Sequence, residues 1–251
     1  VSVEDRLRFT RERRFGAVAG YLNSVYGLDP NLAFLHPIGI TPDPTKRIPE
    51  LAHKKFTGPF TAGTGDFTYD PSHGVFVLHT HKAAGVFGFA GKERVQAGVL
   101  GVELAASSRG FAAILLTPLD QAPLSASRWM LLSNPGYTLR TQPGSDPPRP
   151  QEITSYPGAA GWFTLEPEPG SNKPSGNLNG GQRPVWMERV EAFITLRTTA
   201  QRLTVYPLNG DGSRRDPLTA ADIESVEEGY RIHLGSGNHT PTPWYEIVIE
   251  E

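Results

Sequence analysis

The stretch FTAGTGDFTYDPSHGVFVLHTHKAAGVFGFAG, residues 60–91, constrains the fold of this 251-residue chain more than any other. Short runs rich in β-branched and aromatic residues alternate there with turn chemistry. Phe67-Thr68-Tyr69, Val75-Phe76-Val77-Leu78 and Ala84 to Phe89 read as three strands. Thr64-Gly65-Asp66 leads into the first, and Asp70-Pro71-Ser72-His73-Gly74 turns the chain into the second. Proline presets φ and glycine permits positive φ, so these residues end one strand and begin the next. The segment is a β-meander.

The same punctuation recurs downstream. Val99 to Ala106, Gly110 to Thr117, Trp129 to Leu132 and Tyr137 to Arg140 read as strands, as do Val190 to Leu196, Leu203 to Leu208, Tyr230 to Leu234 and Trp244 to Ile249. Asn209-Gly210-Asp211-Gly212 has hairpin-turn composition. About ten to twelve strands without helical crossovers predict an all-β fold, an antiparallel β-sandwich of jelly-roll-like form. The length suits one large β domain or two small ones, and the strands are here placed in one domain at residues 60–251.

Residues 2–26 predict the one helix. Ser2 caps it, Asp5 completes a capping-box pattern, and Phe15, Val18, Leu22 and Val25 fall at helical spacing. Arg6, Arg8, Arg11, Arg13 and Arg14, interleaved with Glu4, Asp5 and Glu12, read as its solvated face. Pro30, Pro37, Pro42, Pro44, Pro49 and Pro59 make the next segment extended, with a short strand expected at Leu32 to Leu35 or Ile38 to Ile40. Residues 1–59 are therefore expected to be a helix and Pro-rich linker from a preceding domain, packed on the sandwich. A second interruption, residues 143–184, holds nine prolines and seven glycines and reads as a long functional or mobile insertion. Within it Gly161 to Leu165 is one strand-like island.

A net charge of −2 gives no reason to expect nucleic acid or an anionic membrane as partner. The chain has no cysteine, so disulfides and thiolate metal sites are excluded. No apolar run approaches the roughly 18 residues of a membrane span. The missing initial Met fits an excised or processed piece of something longer.

The meander, together with RVEAFITLRTTAQRLTVYPLNGDGSRRDPL and the closing GYRIHLGSGNHTPTPWYEIVIEE, resembles the C-terminal β-sandwich region of large, multidomain bacterial glycoside hydrolases. The resemblance covers about residues 60–142 and 185–251. It implies a non-catalytic accessory module with an upstream catalytic domain as partner, no cofactor, and a secreted or cell-surface location if the parent degrades polysaccharide. It carries no catalytic residues over.

Candidate chemistry is sparse. His79-Thr80-His81 would point two imidazoles one way on a strand and could share a metal, as in a cupin-like oxidase or isomerase. The pattern departs from the cupin one, since no acid follows within four residues and Gly74 is one residue too close; a polar strand end is the plainer reading. Glycoside hydrolysis needs two carboxylates across a cleft. Asp66, Asp70, Glu103, Glu166, Glu168, Glu188 and Glu191 are available without a motif; Glu188 and Glu191 near Trp186 are the least implausible pair, and surface or edge-strand acids are the better reading. No Gly-x-Ser-x-Gly elbow is present. Asn238-His239-Thr240 fits a glycosylation sequon, a match that arises often by chance.

The aromatic residues carry the functional expectation. Sugars stack their C–H faces on indole and phenol rings while amides and carboxylates take the hydroxyls. Trp162 with Tyr156, Asn177, Asn179 and Gln182 is the expected ligand-binding set for a neutral polysaccharide bound weakly. Trp129, Trp186 and Trp244 lie in or beside strands and are expected in the core. The alternatives are a metal-dependent cupin-like enzyme, a small polysaccharide hydrolase, or a domain that only packs on its catalytic neighbour.

Overall fold

The computed structural model describes residues 27–29, 31–35, 54–91, 93–106, 110–155, 163–166, 170 and 182–250. The expected helix at 2–26 lies outside them, as does Ile38 to Ile40. One helix and seventeen strands are present among the described residues: α1 (Leu32–Leu35), β1 (Phe60–Thr61), β2 (Phe67–Asp70), β3 (Val75–His79), β4 (Ala84–Gly88), β5 (Val95–Ala97), β6 (Leu100–Leu104), β7 (Ala112–Pro118), β8 (Trp129–Ser133), β9 (Thr138–Thr141), β10 (Ile153–Ser155), β11 (Phe163–Leu165), β12 (Gln182–Met187), β13 (Ala192–Arg197), β14 (Arg202–Pro207), β15 (Ile223–Val226), β16 (Gly229–Leu234) and β17 (Trp244–Glu250). The described helix is too short to cross a membrane.

Two antiparallel sheets form the sandwich. The larger has the order β1-β2-β3-β4-β7-β8-β17-β14, and the smaller β15-β16-β13-β6-β5. The β5–β6 hairpin leaves the first sheet after β4 and pairs in the second before β7 returns beside β4. Alternation fixes which residues go inside. On β7, Ala112, Ile114 and Leu116 are buried and the residues between them face away. These three meet Leu100, Val102, Ile194, Leu196, Ile232 and Leu234 of the smaller sheet in one core, with Met130, Leu132, Val205, Tyr245 and Ile247. Each buried leucine or isoleucine contributes about 2 kcal/mol.

The two outer faces differ. That of the smaller sheet is charged: Glu103 pairs with Arg231 at 3.3 Å, Arg231 lies 4.0 Å over the Phe193 ring, and His233 stacks on Phe193 and meets Glu191 at 2.8 Å. That of the larger sheet is aromatic. Phe67, Phe76 and Phe87 follow one another across β2, β3 and β4 with centroids 5.0 and 6.2 Å apart. At the edge of this sheet, Phe34 of α1 stacks on Phe60 at 5.6 Å and lies tilted against Tyr69 at 4.9 Å.

Leu32 to Leu35 is therefore helical, not the strand its apolar residues suggest. Asp29 decides this. Its carbonyl accepts the Leu32 amide at 3.0 Å, and its carboxylate accepts the amides of Asn31 and Phe56 at 3.0 and 3.1 Å. An Asx turn thus starts a helical turn and ties it to the chain entering β1.

The insertion at 143–184 is more regular than its composition predicts. The β10–β11 ribbon, whose β11 takes the described part of the island expected at Gly161 to Leu165, and the strand β12 both lie in or at the end of it. β12 contains Pro184, which is tolerated because, among the described residues, β12 pairs with β9 alone.

Candidate functional site

A cleft of about 530 Å³ opens beside the β9–β12 ribbon, lined by Tyr137, Leu139, Arg149, Gln151, Glu152, Ile153, Trp186, Met187 and Glu188, among others. Cross-strand register builds its floor. Leu139 stands opposite Trp186, and the Glu188 amide donates to the Tyr137 carbonyl at 2.7 Å, so Tyr137, Leu139, Trp186 and Glu188 share one face of the ribbon. Gly136 allows this approach: a Cβ there would overlap the carbonyl of Glu188.

Trp186 is held by its edge. Its indole N–H donates to Thr141 Oγ1 at 2.8 Å, and the Thr141 hydroxyl donates to the Pro184 carbonyl at 2.8 Å. The ring is only half-buried and forms a wall of the cleft rather than core. The opposite wall is the 149–153 segment, which pairs alongside β9 through Gln142 N–H to Arg149 O at 3.0 Å and Gln151 N–H to Arg140 O at 2.9 Å. Arg149 makes two bonds to the Glu166 carboxylate, 2.8 and 2.9 Å, and Glu166 also accepts the Glu152 amide at 2.9 Å. The Arg149 bonds hold the Glu166 carboxyl below its usual range. This clamp fixes the β10–β11 ribbon against the cleft.

Of the expected ligand-binding set, Gln182 is the exposed first residue of β12, opposite Thr141 and one end of the cleft ribbon away from Trp186. Tyr156, Trp162, Asn177 and Asn179 lie outside the described residues. Residues 156–162 connect β10 to β11, so the segment bearing Tyr156 and Trp162 starts directly after the strand that carries the cleft residue Ile153.

The expectation that Trp129, Trp186 and Trp244 pack in the core is corrected. Trp129 is 46 % and Trp244 40 % exposed. Their neighbours Met130, Leu132, Tyr245 and Ile247 take the inward positions, and alternation leaves the indoles on the outer face.

Other candidates resolve into structural pairs. Glu191 is bound to His233 and does not join Glu188 at the cleft; the second carboxylate that lines the cleft is Glu152. Asp70 accepts the Ser72 hydroxyl and His73 in the turn after β2, bonds that depress its carboxyl and raise His73. His79 ends β3 opposite Ala84, and a tight turn closed by Thr80 N–H to Ala83 O at 2.7 Å carries His81 off the strand. The two imidazoles therefore lack the shared strand face a cupin-like ligand pair requires. Among the described residues no group of three or more His, Cys, Asp or Glu gathers as a metal site. The variant with alanine at both 79 and 81 is expected to stay within about 0.5 kcal/mol of the wild type, because both side chains are exposed. Thermal unfolding with elemental analysis of untagged protein checks this; one transition metal per chain would refute it.

One constellation was not legible in the sequence. Ser236 donates to Asp222 at 2.6 Å, His239 Nδ1 lies 3.3 Å from Ser236 Oγ and 3.6 Å from Asp222, and His239 Nε2 meets the Tyr245 hydroxyl at 3.1 Å. The three residue types are those of a hydrolase triad, but the geometry is not. A triad uses opposite ring nitrogens for serine and aspartate. Here one nitrogen faces both, the serine proton goes to the aspartate, and the serine is buried. The cluster staples the 235–242 loop between the two sheets, and the Asn238 side chain of the sequon is bonded to Asp222 at 2.9 Å.

Comparison of the chain with protein-family models, with curated proteins and with solved structures yields no match.

Proposed function

We propose that this chain is a non-catalytic carbohydrate-binding or accessory module of a glycoside hydrolase, and that it holds a neutral polysaccharide weakly in the Tyr137–Trp186 cleft. The observation that carries this reading is the pairing of a phenol and an edge-pinned indole with Arg149, Gln151, Glu152 and Glu188 in one open cleft. Rings fixed in advance lose little freedom on binding, and the polar rim serves hydroxyl groups. Stacking on two rings with a few hydrogen bonds supports affinities of order 10–1000 µM, about 4–7 kcal/mol. In this reading Trp162 and Tyr156 keep their expected part in binding, and the upstream catalytic domain is the partner.

Affinity electrophoresis against plant and bacterial polysaccharides tests it. Wild-type protein is expected to be retarded by at least one polymer, and Trp186→Ala and Trp162→Ala to migrate as in an empty gel with an unchanged circular dichroism spectrum. Release of reducing ends from the retarding polymer would instead support a hydrolase acting through Glu152 and Glu188.

The half-buried Phe67, Phe76 and Phe87 ladder favours a second reading, in which the domain serves only to pack on its neighbour. An antiparallel sheet ordinarily turns a polar face to water. A broad panel in which no polymer retards the wild type would favour that reading.

A further inference from the structure

The exposed indoles of the larger sheet stand in line with the cleft. Trp244 is opposite Ser133 in the register, and Trp129 is four residues before Ser133 on β8, so the two outward positions lie about 13 Å apart along the strands. Beyond Ser133 the chain reaches Tyr137 after four more residues, at most about 14 Å on. Tyr137 is still on the outer side: its ring packs 5.2 Å from Phe111, which continues the outward positions Ala113 and Leu115 of β7. Tyr137 also lines the cleft. Trp129, Trp244 and the Tyr137–Trp186 cleft thus succeed one another along the direction of β8.

A fixed polar centre separates the two indoles. Glu246, outward on β17 and opposite Leu131, accepts the indole N–H of Trp129. It also accepts two bonds from Arg214, 2.6 and 2.7 Å, and the guanidinium lies 4.5 Å over the Tyr206 ring. Arg214 keeps half its side chain in solvent, and its Nη1 has no hydrogen-bond acceptor among the described residues. Trp129 is therefore both exposed and locked.

We propose that this row is a binding track for a linear, neutral glycan lying along β8. The cleft holds one stretch of the chain, Trp244 and Trp129 each stack a further sugar ring, and Arg214 donates to a hydroxyl between them. The inference rests on the cleft being a saccharide site and extends it: the ligand class is an extended chain of many units rather than a mono- or disaccharide. A linear glycan suits the row: indole faces about 13 Å apart flank a guanidinium that keeps half its side chain in solvent, while its partner Glu246 is buried. A hydroxylated chain can stack on the rings and accept from the guanidinium together.

Calorimetric titration with linear oligosaccharides of xylan, mannan and β-glucan, from disaccharide to decasaccharide, tests the track. Affinity is expected to keep rising with length after the cleft is filled. The double variant Trp129→Ala/Trp244→Ala is expected to lose about tenfold for the longest oligomers and nothing for the shortest. Trp129→Phe, which keeps a ring, should recover most of the part due to position 129. Trp244→Ala alone is the variant to read if the double variant does not fold, since no hydrogen bond through the Trp244 indole nitrogen is present among the described residues. Affinity that stops rising at the shortest bound oligomer, or long-chain binding unchanged in both Trp244→Ala and the double variant, would overturn the track and leave the cleft standing. A wild type that binds no oligomer of any length would overturn both.

Discussion

Gly88→Val is expected to leave the chain unable to reach its native fold, the largest single-residue effect on the larger sheet. Gly88 has φ +111°, a conformation that side chains with a Cβ rarely adopt. It ends β4 between Val75 and Ala112, where a Cβ would overlap the carbonyl oxygen of Gly74 and come within 3.0 Å of the carbonyl carbon. Neither neighbour is a side chain that can move aside. Relief requires opening the β3–β4 pairing, and with it the bond from the Phe89 amide to Gly74 O at 3.1 Å. A loss of at least about 4 kcal/mol is expected, a large share of a domain's stability. Urea unfolding of soluble protein, or its recovery only in the insoluble fraction, measures it. Gly65→Ala is the control, because Gly65 also has positive φ, +76°, but a Cβ there would meet nothing within 4 Å. It should cost only about 1–2 kcal/mol, which separates conformational strain from overlap. A Gly88→Val protein with near-native stability would mean that the β3–β4 junction has another packing available.

The strands that read clearly in the sequence are those whose apolar residues go to a shared core. β3, β7, β13, β14, β16 and β17 all fall within the expected runs or one to two residues of them, because two-residue alternation and bounding turns report burial directly. The strands that escaped notice are at edges. β12 reads Gln-Arg-Pro-Val-Trp-Met, with almost every side chain exposed, and β15 reads Ile-Glu-Ser-Val with both central residues exposed. Pairing on one side holds them, and one-sided pairing leaves no apolar rhythm to read. The misplaced tryptophans are a different case. Trp129-Met130-Leu131-Leu132 is apolar throughout, so no alternation fixes its parity; the average preference of tryptophan for burial points inward, whereas the structure buries Met130 and Leu132 and turns the indole out. The cleft was illegible for a third reason. It joins residues 137–139, 149–153 and 186–188, and the register that unites Leu139 with Trp186 depends on a pairing across nearly fifty residues.

Lowering the pH from 7.5 to 5 is expected to destabilise the protein through His239, and His239→Gln to remove that step. Burial depresses the imidazole's affinity for a proton, with Asp222 opposing and His233 and Arg215 reinforcing the shift. Hydrogen bonding explains why the neutral form fits. Burial raises the Tyr245 phenol, which therefore keeps its proton and can donate it to a neutral His239 Nε2 at 3.1 Å. The remaining proton sits on Nδ1 and faces Ser236 Oγ, whose own proton goes to Asp222. A second ring proton would force the phenol to turn its own proton away from the ring. Because the folded value lies below the unfolded value of about 6.5, the unfolded chain binds the proton first, and stability falls as the pH drops through that value toward the folded one. Above about 6.5 the contribution is fully present. Asp222 acts lower: burial raises its carboxyl, but the bonds from Ser236 and Asn238, with His239 and His233 nearby, hold it below its ordinary value, so its contribution persists until the pH falls below about 4. His73, exposed beside Asp70, has the opposite sign, its contribution being lost as pH rises through its raised value. It is common to wild type and variant, so the difference between their melting curves isolates residue 239. Thermal unfolding at half-unit pH steps should give a wild-type melting temperature that drops between pH 6.5 and 5 and a His239→Gln curve that is flatter there. Parallel curves would place the neutral imidazole outside the forces that hold the 235–242 loop.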